Sequence, residues 1–208
     1  MRRREAAEPL SRGGRSPLSP RSRPPSLRVG LLAVLAPISL LLVAATSQPA
    51  LPPDAFVALQ AQSFQEPIRA PALSLPGVDG RPLRLQDLKG KVVVLNFWAT
   101  WCVPCRQEMP AMERLYRDHR QRGLAVVAVN FNESKGEVER FLNELHLSFL
   151  VALDSDGAMA RSFTVRGLPV TYLLSRDGRI LWKAIGARDW DGPASRAYFE
   201  SLLQTTRP

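Results

Sequence analysis

Val92-Val93-Val94-Leu95-Asn96-Phe97-Trp98-Ala99-Thr100-Trp101-Cys102-Val103-Pro104-Cys105 is an apolar run that ends on a pair of cysteines three positions apart, the only two in the chain. Such a run suits a strand buried on both faces of a sheet, and the residues after Cys105 have helical spacing. A strand that leads into a helix through Cys-x-x-Cys puts both sulfurs in the first helical turn. There, unpaired backbone N–H groups and the positive end of the helix dipole favour a thiolate over a thiol. This arrangement suits reversible dithiol/disulfide chemistry. Half of a zinc site, or two inert buried thiols, fits less well. A structural zinc site needs a full tetrahedral ligand set, and only His119 and His146 remain to supply it.

The order of the cysteines assigns their roles. Cys102, at the helix start, is expected to be the more exposed sulfur and the nucleophile; Cys105, one turn in, is the resolving thiol. Pro104 lacks an N–H and stiffens the turn between them. Glu108, one turn after Cys105, reads either as a partly buried general base and acid with a raised pKa or as an exposed acid at a helix N-terminus. Trp101 offers an apolar surface beside the sulfurs; Trp98 reads equally as part of that surface or as core.

Around this unit the 208 residues divide unevenly. Residues 1–28 hold eight arginines against Glu5 and Glu8, so most of the net charge of +9 lies there. With few apolar residues and no aromatics between the arginines, this stretch is read as a disordered basic tail and gives no support to nucleic-acid binding. Residues 29–46 follow without a charge. At about 1.5 Å per residue they span roughly 25–27 Å, close to the ~30 Å of a hydrocarbon core. The arginines before this span keep the tail in the cytoplasm and send the rest of the chain outside. Small residues at Ala45 to Ser47 would also permit cleavage, but the length favours a signal-anchor. Residues 47–66, rich in Pro, Ala and Gln with a possible short helix at Phe56 to Gln62, are read as a linker, and 67–208 as one folded domain.

Within that domain, alternating Leu73-Ser74-Leu75 and Leu83-Arg84-Leu85 flank the turn Val78-Asp79-Gly80 and predict a small hairpin. The helix after the cysteines carries Met109, Met112, Leu115 and Tyr116 on one face, contains Pro110 and stops at Gly123. Leu124 to Val129 predicts a second buried strand, Ser134-x-x-Glu137 a capping box opening a helix, and Phe149 to Leu153 a third strand. A short helix is expected next, at Ala158 to Phe163. Val170 to Leu174 and Ile180 to Ile185 are joined through Asp177-Gly178 as a hairpin, and Pro193 opens a last helix. This alternation predicts a mixed α/β sheet flanked by helices on both faces, with an N-terminal hairpin extension.

Asn96 to Pro110, Gly167-Leu168-Pro169-Val170-Thr171 and Asp177-Gly178-Arg179-Ile180 together resemble the thioredoxin superfamily, specifically its membrane-anchored TlpA/ResA group of extracytoplasmic thiol-disulfide oxidoreductases. The resemblance covers residues 67 to 205. It implies that Pro169 is cis, that Leu168 and Pro169 line a groove holding a partner chain beside Cys102, and that Glu108 tunes the site. Thioredoxin has a buried aspartate where this chain has Asn96, a departure that favours Glu108 as the proton carrier. The implied activity is reduction of disulfides in exported proteins, with apocytochrome c or copper-site assembly clients on the periplasmic side. Electrons would come from a membrane thiol-disulfide donor, and the Cys102–Cys105 pair would serve in place of any cofactor or metal. A disulfide oxidase and a copper-binding assembly factor are the alternatives. A redoxin-type peroxidase would want Pro and Thr ahead of a single cysteine, where this chain has Leu95 and Ala99.

Overall fold

The computed structural model describes Leu59 and residues 61–205. The basic tail, the apolar span at 29–46 and most of the expected linker lie outside the described residues. Among the described residues no helix is long and apolar enough to cross a membrane.

The sheet is built on β4 (Val92–Trp98), all seven residues of which are buried. To one side lie β5 (Leu124–Phe131) and β6 (Leu150–Asp154), both parallel to it. To the other lie β7 (Val170–Leu174), β8 (Arg179–Ile185) and β1 (Gln62–Arg69), each antiparallel to its neighbour, giving the order β1-β8-β7-β4-β5-β6. A separate two-stranded hairpin, β2 (Ser74–Pro76) and β3 (Pro82–Arg84), comes after β1 in the chain. The expected strands, hairpins and Ser134–Glu137 capping box are all present.

Side chains alternate across β4, and that parity builds two cores. Val92, Val94 and Trp98 face the layer of α1 (Val103–His119), α2 (Lys135–Glu144) and α4 (Pro193–Thr205), where Met109, Met112, Phe141 and Phe199 pack. Val93, Leu95 and Phe97 face the opposite layer, closed by Leu73 and Leu88 and by Ala160 of the short α3 (Ala158–Ser162) with Phe163 just beyond it. Helices thus cover both faces. Gly123, at φ +94°, makes the left-handed turn that ends the segment after α1 and feeds β5.

The sheet takes in more of the chain than expected. β1 begins at Gln62, inside the stretch assigned to the linker and the possible short helix, and Leu59 is already fully buried. Proline is tolerated on an edge strand or at a bulge. Pro67 falls between the paired positions Ser63 and Ile68, where the register shifts.

Candidate active site

β4 delivers the chain to the site and α1 receives it. Cys102 is the N-cap of α1, with extended φ −79° and ψ 100°, and its Sγ accepts the backbone N–H of Cys105 at 3.3 Å. Pro104 lies in the first turn, where a missing N–H costs nothing. The two sulfurs form a disulfide, with 5.3 Å between the Cα atoms. Both cysteines are buried, Cys105 fully and Cys102 with 5% of its surface exposed, so Cys102 is the less enclosed of the two.

The rim of the site is apolar. Trp101 and Val103 are 64% and 61% exposed, and Pro104 is exposed as well. Trp98, by contrast, is fully buried against Phe141, ring centroids 4.8 Å apart, and contributes nothing to this surface. The Leu168–Pro169 peptide is cis. Val170 pairs with Phe97 at the end of β4 that leads to Cys102, which places the proline loop and the cysteines at one end of neighbouring strands. Leu168 is half-buried and Pro169 buried, its carbonyl accepting the Gly186 N–H at 2.8 Å. Of the two, Leu168 is the one that offers side-chain surface.

Glu108 lies on the inner face of α1, three residues after Cys105, and is 3% exposed. Its Oε1 accepts Asn96 Nδ2 at 3.0 Å; its Oε2 accepts the Arg188 backbone N–H at 2.9 Å and Trp190 Nε1 at 2.8 Å. Asn96 also donates to Thr171 Oγ1 at 2.9 Å, linking β4 to β7. Burial raises the Glu108 pKa from 4.5 to about 7, with the donated hydrogen bonds opposing the rise. Of the two positions that the sequence allows, the structure shows the buried one. A carboxyl that titrates near neutrality, one helical turn from the inner sulfur, has the right pKa to exchange a proton with it.

Three partners escaped sequence reasoning. Arg188 and Trp190 belong to the loop between β8 and α4, 80 and 82 residues after Glu108. The third is Glu133, whose carboxylate accepts the Thr100 backbone N–H at 2.7 Å, the Thr100 hydroxyl, and Asn130 Nδ2 at 2.6 Å. It fastens the turn before Cys102 to the end of β5. No local spacing marked these residues; the one available hint was a tryptophan just before the Gly192-Pro193 helix start.

The histidines lie elsewhere. His119 is buried at the far end of α1, fourteen residues past Cys105 and hence about 21 Å along the helix axis. Burial lowers its pKa. The His146 carbonyl meets Arg117 of the same helix end at 3.3 Å. Neither histidine is placed to share a metal with the sulfurs.

Comparison with known proteins matches the site. The model of the AhpC/TSA family covers residues 68–183. A thiol-disulfide oxidoreductase ResA of Bacillus cereus is 34% identical over 139 residues, covering 67% of this chain and 77% of its own. The thioredoxin-like protein YneN of Bacillus subtilis is 47% identical over 120 residues, covering 56% of this chain and 69% of its own. The crystal structure of a thiol:disulfide interchange protein described as DsbE, from Chlorobium tepidum, superposes with a TM-score of 0.62 at 36% identity, covering 68% of this chain and 99% of that one. With a Cys-x-x-Cys disulfide at a helix start and this thioredoxin-like sheet behind it, the chain belongs to the AhpC/TSA family and, within it, to the thiol-disulfide oxidoreductases.

Proposed function

We propose that this oxidoreductase is a membrane-tethered reductase acting outside the cytoplasm on disulfides of exported proteins, apocytochromes c or copper-site assembly factors among them. The observation that carries the reading is the asymmetry of the pair: Cys102 lies at the helix start beside an exposed apolar rim and is the less enclosed, while Cys105 is fully enclosed one turn from a buried carboxyl with a pKa of about 7. The span at 29–46, with the arginines before it, supports the tether and the orientation.

The reaction begins with the reduced pair. The Cys102 thiolate attacks one sulfur of the client disulfide; that bond breaks, a mixed disulfide forms, and the second client sulfur leaves as a thiolate that takes a proton. Glu108, as carboxylate, takes the Cys105 proton. The resulting thiolate attacks Cys102 Sγ, closing the Cys102–Cys105 disulfide and releasing the first client sulfur, which is protonated in turn. Two electrons pass to the client, and a membrane thiol-disulfide donor returns the pair to the dithiol. Trp101, Pro104, Leu168 and Pro169 frame the groove in which the client lies.

Cys105→Ser should accumulate mixed disulfides with a disulfide-bonded peptide through Cys102, and Cys102→Ser should not. Equal trapping by both variants overturns the roles. A reduction potential near thioredoxin's, about −270 mV, supports the reductive direction, whereas one near about −120 mV makes the protein an oxidase. A C-terminal reporter active only in the cytoplasm should be silent; a signal overturns the export.

A further inference from the structure

Beside the cis-proline loop lies a groove of about 360 Å³, lined by Arg166, Gly167, Val170, Tyr172, Lys183 and Ile185. It adjoins the cis-proline loop at the end of the sheet, on the face opposite the α1 layer. Gly167 immediately precedes Leu168, and Ile185 immediately precedes Gly186, whose N–H holds the Pro169 carbonyl at 2.8 Å. The register pairs Val170 with Ile185 and Tyr172 with Lys183 across β7 and β8, so these four side chains share one face of the sheet. Val170 and Tyr172 are buried, whereas Ile185 is 53% exposed, which leaves an apolar floor open to solvent.

The charged residues that line the groove are both cations. Arg166 is exposed and Lys183 half-buried. Among the described residues neither is joined to a carboxylate, whereas Arg106, Arg114, Arg117, Arg122, Arg179 and Arg196 all are. Glu66, exposed on the neighbouring β1, makes no ion pair with Arg166 or Lys183 among the described residues, and the acids that hold the turn and helix around the cysteines are engaged elsewhere. Glu108 is enclosed, and the Glu133 carboxylate is taken by Thr100 and Asn130. A chain lying along the groove with its cysteine at Cys102 would therefore pass an apolar strip and then two cations without counter-ions. Unpaired cations at the rim of a partly apolar groove favour an anionic side chain by complementarity, mainly through the association rate.

We infer that this groove selects its substrates by charge: clients whose reacting cysteine is flanked, on the side that passes Leu168, by aspartate or glutamate, the carboxylate seating between Arg166 and Lys183 over Ile185. This rests on the disulfide-exchange reading and adds to it the class of polypeptide preferred.

The test uses the full chain, reduced with dithiothreitol and freed of it, mixed with three disulfide-bonded peptides that differ only in a pair of residues beside one cysteine: Asp-Asp, Asn-Asn or Lys-Lys. The second-order rate constants for reduction should fall in that order. The Asp-Asp to Lys-Lys ratio should be about tenfold at low salt and collapse toward one at about 0.5 M salt. Arg166→Glu with Lys183→Glu should invert the order. Lys89→Glu with Lys91→Glu changes the net charge equally at the other end of β4 and should preserve the order. A ratio near one in the wild type at low salt overturns the inference. So does an order that survives the Arg166/Lys183 exchange, or one erased as fully by the Lys89/Lys91 exchange, since the preference would then belong to net charge. In these cases Cys102-dependent reduction of the Asn-Asn peptide leaves the disulfide-exchange reading standing. If no peptide is reduced faster by wild type than by Cys102→Ser, that reading falls, and the inference falls with it.

Discussion

Asn96, in the middle of β4, donates a 3.0 Å hydrogen bond to Glu108, in the second turn of α1. Twelve residues separate them, and two periodicities bring them together. The two-residue repeat of the strand turns Asn96 toward the helix layer, and the helical repeat sets Glu108 on the same inner face as Cys105. The buried carboxyl is thereby given a neutral partner, where a second acid would have repelled it.

Stability should depend on pH through this carboxyl. Glu108 titrates at about 7 in the folded chain and at 4.5 when free, so between these values the folded state keeps a proton that the unfolded state releases. Its contribution is fully present below about 4.5, is lost as pH rises toward 7, and is flat above; the total change is about 3 kcal/mol. Glu108→Gln should lack this slope. Urea unfolding of both proteins from pH 4 to 8 should show the variant gaining on wild type with rising pH; a constant difference contradicts the assignment.

Trp190→Phe keeps a ring beside Trp182, whose centroid lies 6.4 Å away, but removes the 2.8 Å donor from Glu108. Loss of a hydrogen bond to the charged form should raise the carboxyl pKa by about one unit, equivalent to about 1.4 kcal/mol. The pH profile of thiol titration in the reduced protein, followed by thiolate absorbance, should move to the alkaline side; an unmoved profile would show that the indole does not tune the site.

Glu133 and Ser134 are neighbours with separable duties. Ser134 caps α2, and Ser134→Ala should cost about 1 kcal/mol of unfolding free energy without altering the alkylation rate of Cys102. Glu133→Ala strands the Thr100 N–H and should cost about 1–3 kcal/mol while also changing that rate, because the turn leading to Cys102 loses its fastening. Denaturation and thiol kinetics on both variants check the contrast.

Trp98 and Trp101 form a second contrast within one turn of chain. Trp98→Ala opens a hole against Phe141 and should cost about 3–5 kcal/mol, whereas Trp101→Ala, at a side chain 64% exposed, should change stability by less than about 0.5 kcal/mol and weaken client binding. Denaturant midpoints and peptide KM values separate the two.

Most of this architecture was legible because it is local. The buried run of β4, the capping box at Ser134 and the Asp177-Gly178 turn each carry a signature within a few residues. Glu108 was legible as a position three residues after Cys105, but its burial was not, since that depends on Arg188 and Trp190 some 80 residues away. β1 was missed because its sequence, QSFQEPIR, is polar and broken by Pro67. Only the pairing with β8 makes it a strand, and no pattern within the segment reports that pairing.

The alternation along β4 sets a limit on how this chain can change length. Deleting one residue between Val92 and Leu95 would exchange the two sides of everything before the cut relative to Asn96. Either the valine side chains left before the cut repack on the wrong layers, or Asn96 swings into the aromatic cluster of Phe163 and Tyr172 and a phenylalanine arrives before Glu108. Insertions and deletions should therefore be absent from this strand in working relatives and confined to loops such as residues 187–192, and the number of residues in β4 is as much a requirement of the redox centre as the spacing of its cysteines.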